Sequence, residues 1–360
     1  MNIKKNLIRD LSYISKLYGS MPEIVQSGGG NVSAKSKDVM LIKSSGIGLS
    51  DVSSSRELAK INLKGFSKLF NTKMPSSIFK NRIERKISKN TLNLKVPSIE
   101  TSMHIFLDNY VLHTHPTSIL SVVANKNAKK NLGLIFKDFH HVVIKYKNPG
   151  ILLAQEIYKQ IELYEKSNGI RPKIIFLLNH GLIVHSHDPN ELIILQETVL
   201  DRVNAFLKIS DDGRVNQLTL FALINGQSEK DEINIVFKSN INLSNYVKNR
   251  KRLKTNKKVS FFPDKVVYCD DEIFVIEKKE DMVKLINHYL KNKVFPRIII
   301  INDTIYISAK NLSKAREVED VFRAHLEILL RNPEKSLVEL TTKEVNFLKN
   351  WDAEEYRKKI

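Results

Sequence analysis

Val111-Leu112-His113-Thr114-His115-Pro116 places two histidines at the end of an apolar run. Side chains at spacing i, i+2 point to the same side of a β-strand, so these imidazoles can share one metal ion. An isolated His-x-His pair is more often exposed or hydrogen-bonded than metal-bound. The stretch therefore predicts a strand that carries a metal site only if other segments supply further ligands.

Two further segments supply such residues. His180 follows a nearly continuous apolar stretch, residues 173–178, which we expect to be a central strand. Glu100 stands at the start of a helix predicted over residues 101–108, with Ser98 as its N-cap. Three imidazoles with one open position are typical of a catalytic Zn²⁺ site, and a nearby carboxylate can act as general base or displaceable ligand. Spacing alone does not decide whether the four residues meet.

The order of predicted strands and helices favours an α/β fold with a largely antiparallel sheet flanked by helices over residues 1–210. Residues 211–258 are charged and rich in asparagine, and we expect them to be a connector. A smaller α+β accessory domain is predicted over residues 259–360, with strands at 266–276 and 297–307. The lysine-rich segment before Glu100 shows only weak strand patterns, one of which predicts a strand near residues 91–95.

Composition limits the classes of function. The 360 residues contain no apolar run long enough for a membrane span, and the N-terminus predicts no signal peptide. The single cysteine, Cys269, cannot form an internal disulfide and fits a reducing, cytoplasmic compartment. A metal site in this chain must therefore use histidine and carboxylate ligands.

The formal net charge is +19, but the one dense basic cluster, residues 248–258, contains no aromatic residue to stack on bases. We therefore do not expect nucleic-acid binding, and a positive field suits anionic substrates. The glycine-rich segments 27–33 and 44–48 match neither the Rossmann fingerprint nor the P-loop. Hairpin turns and anion-binding loops remain alternatives for them.

Five motifs together resemble the class II aldolase/adducin superfamily, which includes fuculose-phosphate and rhamnulose-phosphate aldolases and ribulose-phosphate 4-epimerases. The resemblance covers roughly residues 1–210. The motifs, in order, are Gly30-Asn31-Val32-Ser33, Ile42-Lys43-Ser44-Ser45-Gly46, Ser98-Ile99-Glu100 with His104, His113-Thr114-His115-Pro116 and Asn179-His180-Gly181.

The resemblance implies a three-layer α/β/α sandwich, a homotetramer and a small sugar or sugar-phosphate substrate. It implies cleavage or formation of a C–C bond through a metal-stabilised enediolate, with Glu100 as catalytic acid/base and Zn²⁺ or another divalent metal as cofactor. The implied metal ligands are His113, His115 and His180. The residues implied to bind phosphate are Gly30, Asn31, Ser45, Gly46 and Ser98.

Alternative reactions on the same scaffold are epimerisation, dehydration and decarboxylation. A non-catalytic, adducin-like interaction protein is a further alternative, although such proteins have lost metal histidines that this chain keeps. Gly28 and Ile99 stand where phosphate-binding relatives often have hydroxyl residues, so a phosphate is held more loosely unless Ser27, Lys43 or Ser44 compensates.

The C-terminal part also has a resemblance, carried by two short motifs. Residues 261–268 and 350–356 look like the end of the aldolase half in long fusions of a rhamnulose-phosphate-type aldolase to a short-chain dehydrogenase. This resemblance implies a C-terminal extension of the aldolase domain.

Overall fold

The computed structural model of the chain describes residues 3–70, 76–226, 232–246, 259–270, 272–333 and 336–350. The chain divides into two compact units, Met1–Asp211 and Asp212–Ile360. Within the described residues, no helix has the length and apolar character needed to cross a membrane.

The first unit is built on a seven-stranded sheet. Its strands are β1 (Asn31–Ser36), β2 (Val39–Lys43), β3 (Leu58–Asn62), β4 (Tyr110–Thr114), β5 (His141–Ile144), β6 (Ile174–Leu177) and β7 (Gly181–Ser186). Its helices are α1 (Ile3–Gly19), α2 (Phe66–Phe70), α3 (Ser76–Asn90), α4 (Thr101–His104), α5 (Thr117–Val123), α6 (Ala128–Ile135), α7 (Ile151–Asn168) and α8 (Pro189–Leu207). The sheet order is β3-β2-β1-β4-β7-β6-β5, and the β5–β6 pair is parallel while the other pairs are antiparallel.

Helices cover both faces of this sheet. Helices α1, α5 and α8 pack on one face, and α3, α4 and α7 pack on the other. Strand β4 shows how the two faces alternate: Val111 joins the apolar cluster formed with α4 and α7, whereas Thr114 accepts a hydrogen bond from Gln196 of α8 at 3.1 Å. The three-layer α/β/α sandwich with a mainly antiparallel sheet is therefore confirmed.

Two local predictions before β4 are wrong. No strand forms near residues 91–95; Thr91 makes only an isolated bridge to Ile61, and the residues before it form helix α3. Its buried stripe is sparse, with Phe79 and Ile83 one helical turn apart among lysines and arginines, which is why the periodicity was weak. The helix predicted over residues 101–108 ends at His104, because the chain must turn there to enter β4.

The second unit contains a four-stranded sheet in the order β8-β11-β10-β9, with β9 and β10 parallel. Residues 302 and 303 form the tight hairpin between β10 and β11, and both have positive φ angles, 46° and 69°. The strands are β8 (Ile235–Lys238), β9 (Ile273–Ile276), β10 (Ile298–Ile301) and β11 (Thr304–Ala309). The described helices are α9 (Asp212–Gly226), α10 (Pro263–Cys269), α11 (Lys279–Asn292), α12 (Leu312–Arg331) and α13 (Thr342–Lys349).

The strand predicted over residues 266–276 is wrong in its first part, which is helical, and right in its second part. Pro263 stands at the first turn of helix α10, where its fixed φ angle favours a helix, and only Ile273–Ile276 is a strand. Residues 211–258, expected to be a connector, include α9 and β8, and β8 pairs with β11. The basic cluster 248–258 lies outside the described residues, and so does most of the motif at 350–356.

Candidate metal centre

Strand pairing brings together histidines that are far apart in sequence. His113 lies within β4, His115 lies just beyond its end, and His180 lies in the turn between β6 and β7. Because β4 and β7 are antiparallel neighbours, with Thr114 opposite Leu182, the end of β4 meets the start of β7. The three imidazoles therefore lie close together where the end of β4 meets the start of β7.

The fourth member of the cluster comes from the segment before α4. Oε1 of Glu100 lies 3.3 Å from Nε2 of His113 and 3.9 Å from Nε2 of His180. Nε2 of His113 lies 3.0 Å from Nε2 of His115 and 3.2 Å from Nε2 of His180. All four potential ligand atoms lie within 4.8 Å of one another, and the described residues contain no other such group of three or more.

This donor set fits a divalent cation. Tetrahedral coordination with bonds of 2.0–2.1 Å separates ligand atoms by about 3.3 Å. The measured separations of 3.0, 3.2, 3.3 and 3.9 Å are close to that spacing. Three imidazole nitrogens and one carboxylate oxygen suit Zn²⁺ and also other divalent first-row metals.

The hydrogen bond of His113 fixes which nitrogen faces the cluster. Its Nδ1 lies 2.8 Å from the carbonyl oxygen of Leu182, and a carbonyl can only accept a hydrogen bond. In the neutral ring Nδ1 therefore carries the hydrogen, and the lone pair of Nε2 is directed to the other imidazoles. Burial lowers the pKa of His113, but the neighbouring Glu100 carboxylate outweighs burial and raises it above its ordinary value.

The other two histidines favour the neutral state. Burial, together with the proximity of His113, lowers the pKa of His115 to about 3 and that of His180 to about 4. Both rings are therefore unprotonated near neutral pH. Metal ligation requires that state.

Glu100 is held as a carboxylate. Burial raises its pKa, but the charge and hydrogen bond of His113 lower it more, and the net pKa lies well below the usual range. Nδ2 of Asn31 donates to Oε2 at 3.3 Å, so one oxygen faces the histidines and the other is bound by an amide. An ionised carboxylate in this position can accept a proton from a bound molecule.

Because Gly181 has no side chain, the end of β4 and the ring of His115 can lie close to its backbone. A β-carbon at this position would lie 2.5 Å from the carbonyl oxygen of Thr114 and 2.8 Å from Cδ2 of His115. A β-carbon on Gly29 would lie 3.2 Å from Nδ1 of the same histidine. No role in the cluster was predicted for these glycines, and the one signal for Gly181 was its place directly after His180.

His104 lies outside the cluster. Its Nδ1 is 2.8 Å from the hydroxyl oxygen of Ser33, and the side chain is fully buried. Burial lowers its pKa to about 3, so the ring is neutral. This histidine packs beneath the site, consistent with a core or orienting residue.

Three of the residues expected to bind phosphate, Ser45, Gly46 and Ser98, lie on two segments beside Glu100. The backbone N–H of Ser45 donates to the carbonyl oxygen of Val96 at 2.9 Å. This hydrogen bond holds the exposed turn that contains Ser45 and Gly46 next to the segment that contains Ser98. The hydroxyl oxygen of Ser98 accepts a hydrogen bond from the backbone N–H of Glu100 at 3.3 Å. These two segments therefore adjoin the backbone of Glu100.

The remaining predicted residues belong to a different segment from Ser45 and Ser98. Gly30 and Asn31 are buried at the start of β1, and Asn31 is paired with His113 in the sheet. Gly28 is exposed with open space around its missing β-carbon, and Ile99 is 72% exposed. Neither of these two positions offers a side-chain donor.

The second unit contains a cleft of about 750 Å³. Several of its charged side chains are paired with one another, as in Arg297 with Asp270 at 3.5 Å and Lys314 with Glu317 at 3.0 Å. The described residues of that unit contain no cluster of metal-ligating side chains. The histidine cluster of the first unit is therefore the candidate site.

Comparison with known proteins identifies the family of the first unit. Residues 9–203 match the sequence profile of the class II aldolase and adducin N-terminal domain. The uncharacterized oxidoreductase YuxG of Bacillus subtilis (strain 168) is 27% identical over 215 residues, which are 55% of this chain. This chain covers only 30% of the length of that relative.

Solved structures are also similar to part of the chain. The N-terminal class II aldolase domain of a conserved Thermoplasma acidophilum protein is 27% identical, with a TM-score of 0.46, over 55% of this chain and 92% of that one. An aldolase II superfamily protein from Pseudomonas syringae is 16% identical, with a TM-score of 0.42, over 58% of this chain and 77% of that one.

Proposed function

Because the chain belongs to the class II aldolase and adducin family, we propose that it is a zinc-dependent aldolase acting on a small sugar or sugar phosphate. Residues 1–210 are the proposed catalytic domain, and residues 259–360 are the proposed small α+β accessory domain. The observation that carries the proposal is the cluster of three imidazole nitrogens and one carboxylate within 4.8 Å. Family membership by itself indicates a lyase or a related enzyme.

Each member of the cluster has a proposed role. His113, His115 and His180 hold the metal, and Glu100 moves a proton on the substrate. When bound, a divalent cation supplies Lewis-acid stabilisation of the negative charge that develops on oxygen as a C–C bond beside a carbonyl breaks. The ionised Glu100 takes the proton from the substrate hydroxyl, while Asn31 keeps its second oxygen oriented.

The proposed anion-binding residues are Gly30, Asn31, Ser45, Gly46 and Ser98. The exposed turn at Ser45 and Gly46 lies beside the segment of Ser98, and both adjoin Glu100. Gly46 has a φ of +78° and open space around its missing β-carbon, so its backbone N–H can be approached closely by a ligand.

The proposed assembly is a homotetramer in the cytoplasm. Support for an assembly comes from the exposed apolar side chains that precede Glu100, among them Leu94, Val96 and Ile99. A single buried cysteine supports a reducing compartment.

Two measurements test the proposal. Elemental analysis of the purified protein should find one zinc per chain, and a panel of ketose 1-phosphates should release triose phosphate and aldehyde with the metal bound but not after chelation. His113→Ala should lose both the metal and turnover. Formation of an isomeric ketose would favour an epimerase, and dehydrated or decarboxylated products would favour those lyases. Absence of a bound metal, with activity retained in His113→Ala, would refute the proposal.

A further inference from the structure

We propose that the cleft of the second unit binds a mononucleotide, with the base against aromatic side chains and the phosphate against Lys293 and Arg297. All the residues that line the cleft belong to that unit. The ligand site therefore shares no residue with the histidine cluster and does not depend on the function proposed for it.

The cleft has the size and the lining of a small-molecule site. Its volume of about 750 Å³ lies within the range of roughly 300–1,000 Å³ that is typical of ligand pockets. The buried part of its lining is apolar and includes Ile224, Val267 and Val318. The more exposed part of the lining carries charged side chains, so the cleft suits a molecule with an apolar body and an ionic group.

Aromatic rings in the lining favour a planar ligand. Tyr289 of α11 and Phe295 stack on each other, with ring centroids 4.4 Å apart and planes 12° apart, and Tyr268 is a third ring in the lining. A nucleobase stacks on such rings whatever its identity, because every base has a π-face. The rings therefore suit the base of a nucleotide and do not select one base over another.

The charges of the lining favour an anion. Four basic and three acidic side chains line the cleft, and each acidic one forms an ion pair. The pairs are Arg297–Asp270 at 3.5 Å, Lys314–Glu317 at 3.0 Å and Lys310–Glu232 at 3.5 Å. Lys293 is exposed and, in the part of the chain that the structure describes, has no carboxylate partner. Its ammonium group is therefore available to a phosphate, and the planar guanidinium of Arg297 can donate to the same group.

Two of these charged residues have backbone conformations that favour glycine. Asp270, directly after α10, has a φ of 58° and a ψ of 177°, and Lys293, directly after α11, has a φ of 57° and a ψ of 19°. The conformation of Asp270 is held by the buried Lys265, whose Nζ donates to its carbonyl oxygen at 2.9 Å. Non-glycine residues in such conformations cost free energy and are concentrated at functional sites. Two of them in the lining of one cleft favour a role for their side chains in binding.

The test is calorimetric titration of AMP, GMP, CMP and UMP into the full chain, with adenosine and ribose 5-phosphate as partial ligands. We expect the mononucleotides to bind with similar affinities. Adenosine lacks the phosphate and ribose 5-phosphate lacks the base, so each should bind about tenfold more weakly or worse than AMP.

Variants of the lining test the assigned contacts. Lys293→Gln should weaken AMP binding about tenfold and leave adenosine binding unchanged, because it removes only a charge. Lys291→Gln, on the exposed surface of α11 and outside the cleft, is the matched control and should bind AMP like the parent. Asp270→Gly should be at least as stable as the parent to chemical denaturation, because glycine fits this backbone, yet bind AMP several-fold more weakly.

Three results would overturn the inference. They are the absence of binding of all four mononucleotides to the parent, equal affinity for AMP and ribose 5-phosphate, and parent-like AMP binding by Lys293→Gln. His113→Ala, which alters the histidine cluster, should keep the AMP affinity of the parent. Failure of the proposed aldolase function and failure of the nucleotide site are therefore seen separately.

Discussion

Oε1 of Glu100 lies 3.3 Å from Nε2 of His113, although one residue precedes a short helix and the other lies within the central strand. We expect Glu100→Gln to lower kcat by about 10²–10⁴-fold, because an amide cannot accept the proton. Measuring kcat together with zinc per chain separates lost proton transfer from lost metal. Glu84→Gln, on an exposed helix surface, is the control and should behave like the parent. Parent-like turnover by Glu100→Gln would contradict the assigned role.

The tight contact at Gly181 predicts a structural effect on the metal site. Gly181→Ala places a methyl group 2.5 Å from the carbonyl oxygen of Thr114 and 2.8 Å from His115, so the strand end must move. We expect a loss of about 1–3 kcal/mol in the free energy of unfolding and weaker zinc binding. Gly133→Ala, in helix α6 with open space around the site, should instead be neutral or stabilising. Unchanged zinc affinity in Gly181→Ala would contradict this account.

Metal affinity should fall as the pH is lowered. His115 and His180 have lowered pKa values and stay neutral, whereas the raised pKa of His113 makes it the first of the three to take up a proton. Because zinc must displace that proton, we expect the apparent affinity to be constant above the pKa of His113. Below it, affinity should decrease by up to about tenfold per pH unit. A chelator competition series from pH 5.5 to 8 measures this zinc affinity. An affinity that increases as the pH is lowered would exclude His113, His115 and His180 as the ligands.

The sequence predicted the sandwich and the four residues of the cluster for different reasons. Long apolar runs such as residues 173–178 identify buried strands by themselves. The meeting of His113 with His180 depends on strand pairing, which no local pattern encodes. The order of five motifs supplied that information through the family resemblance.

The errors of the sequence-based prediction occurred where local signals were weak or opposed. Helix α3 carries only a thin apolar stripe between basic residues, so its periodicity was lost. The β-branched run after Pro263 favoured a strand, but the proline at the first turn and packing against α12 made it a helix. The close approach of Gly181 to Thr114 and His115 joins segments that are far apart in sequence, so it becomes visible only in three dimensions.

The exposed apolar segment before Glu100 predicts how the assembly can be broken. Leu94 is fully exposed, and Val96 and Ile99 are 68% and 72% exposed, although they stand next to the site. Burial of each such side chain between subunits is worth about 1.5–3 kcal/mol, and a buried carboxylate would reverse that gain. We therefore expect Leu94→Asp to dissociate the proposed homotetramer in sedimentation velocity experiments. Leu134→Asp alters a leucine that is 61% exposed on α6 and should leave the sedimentation coefficient unchanged. A parent that sediments as a monomer, or a Leu94→Asp variant that remains tetrameric, would show that this segment is not the contact.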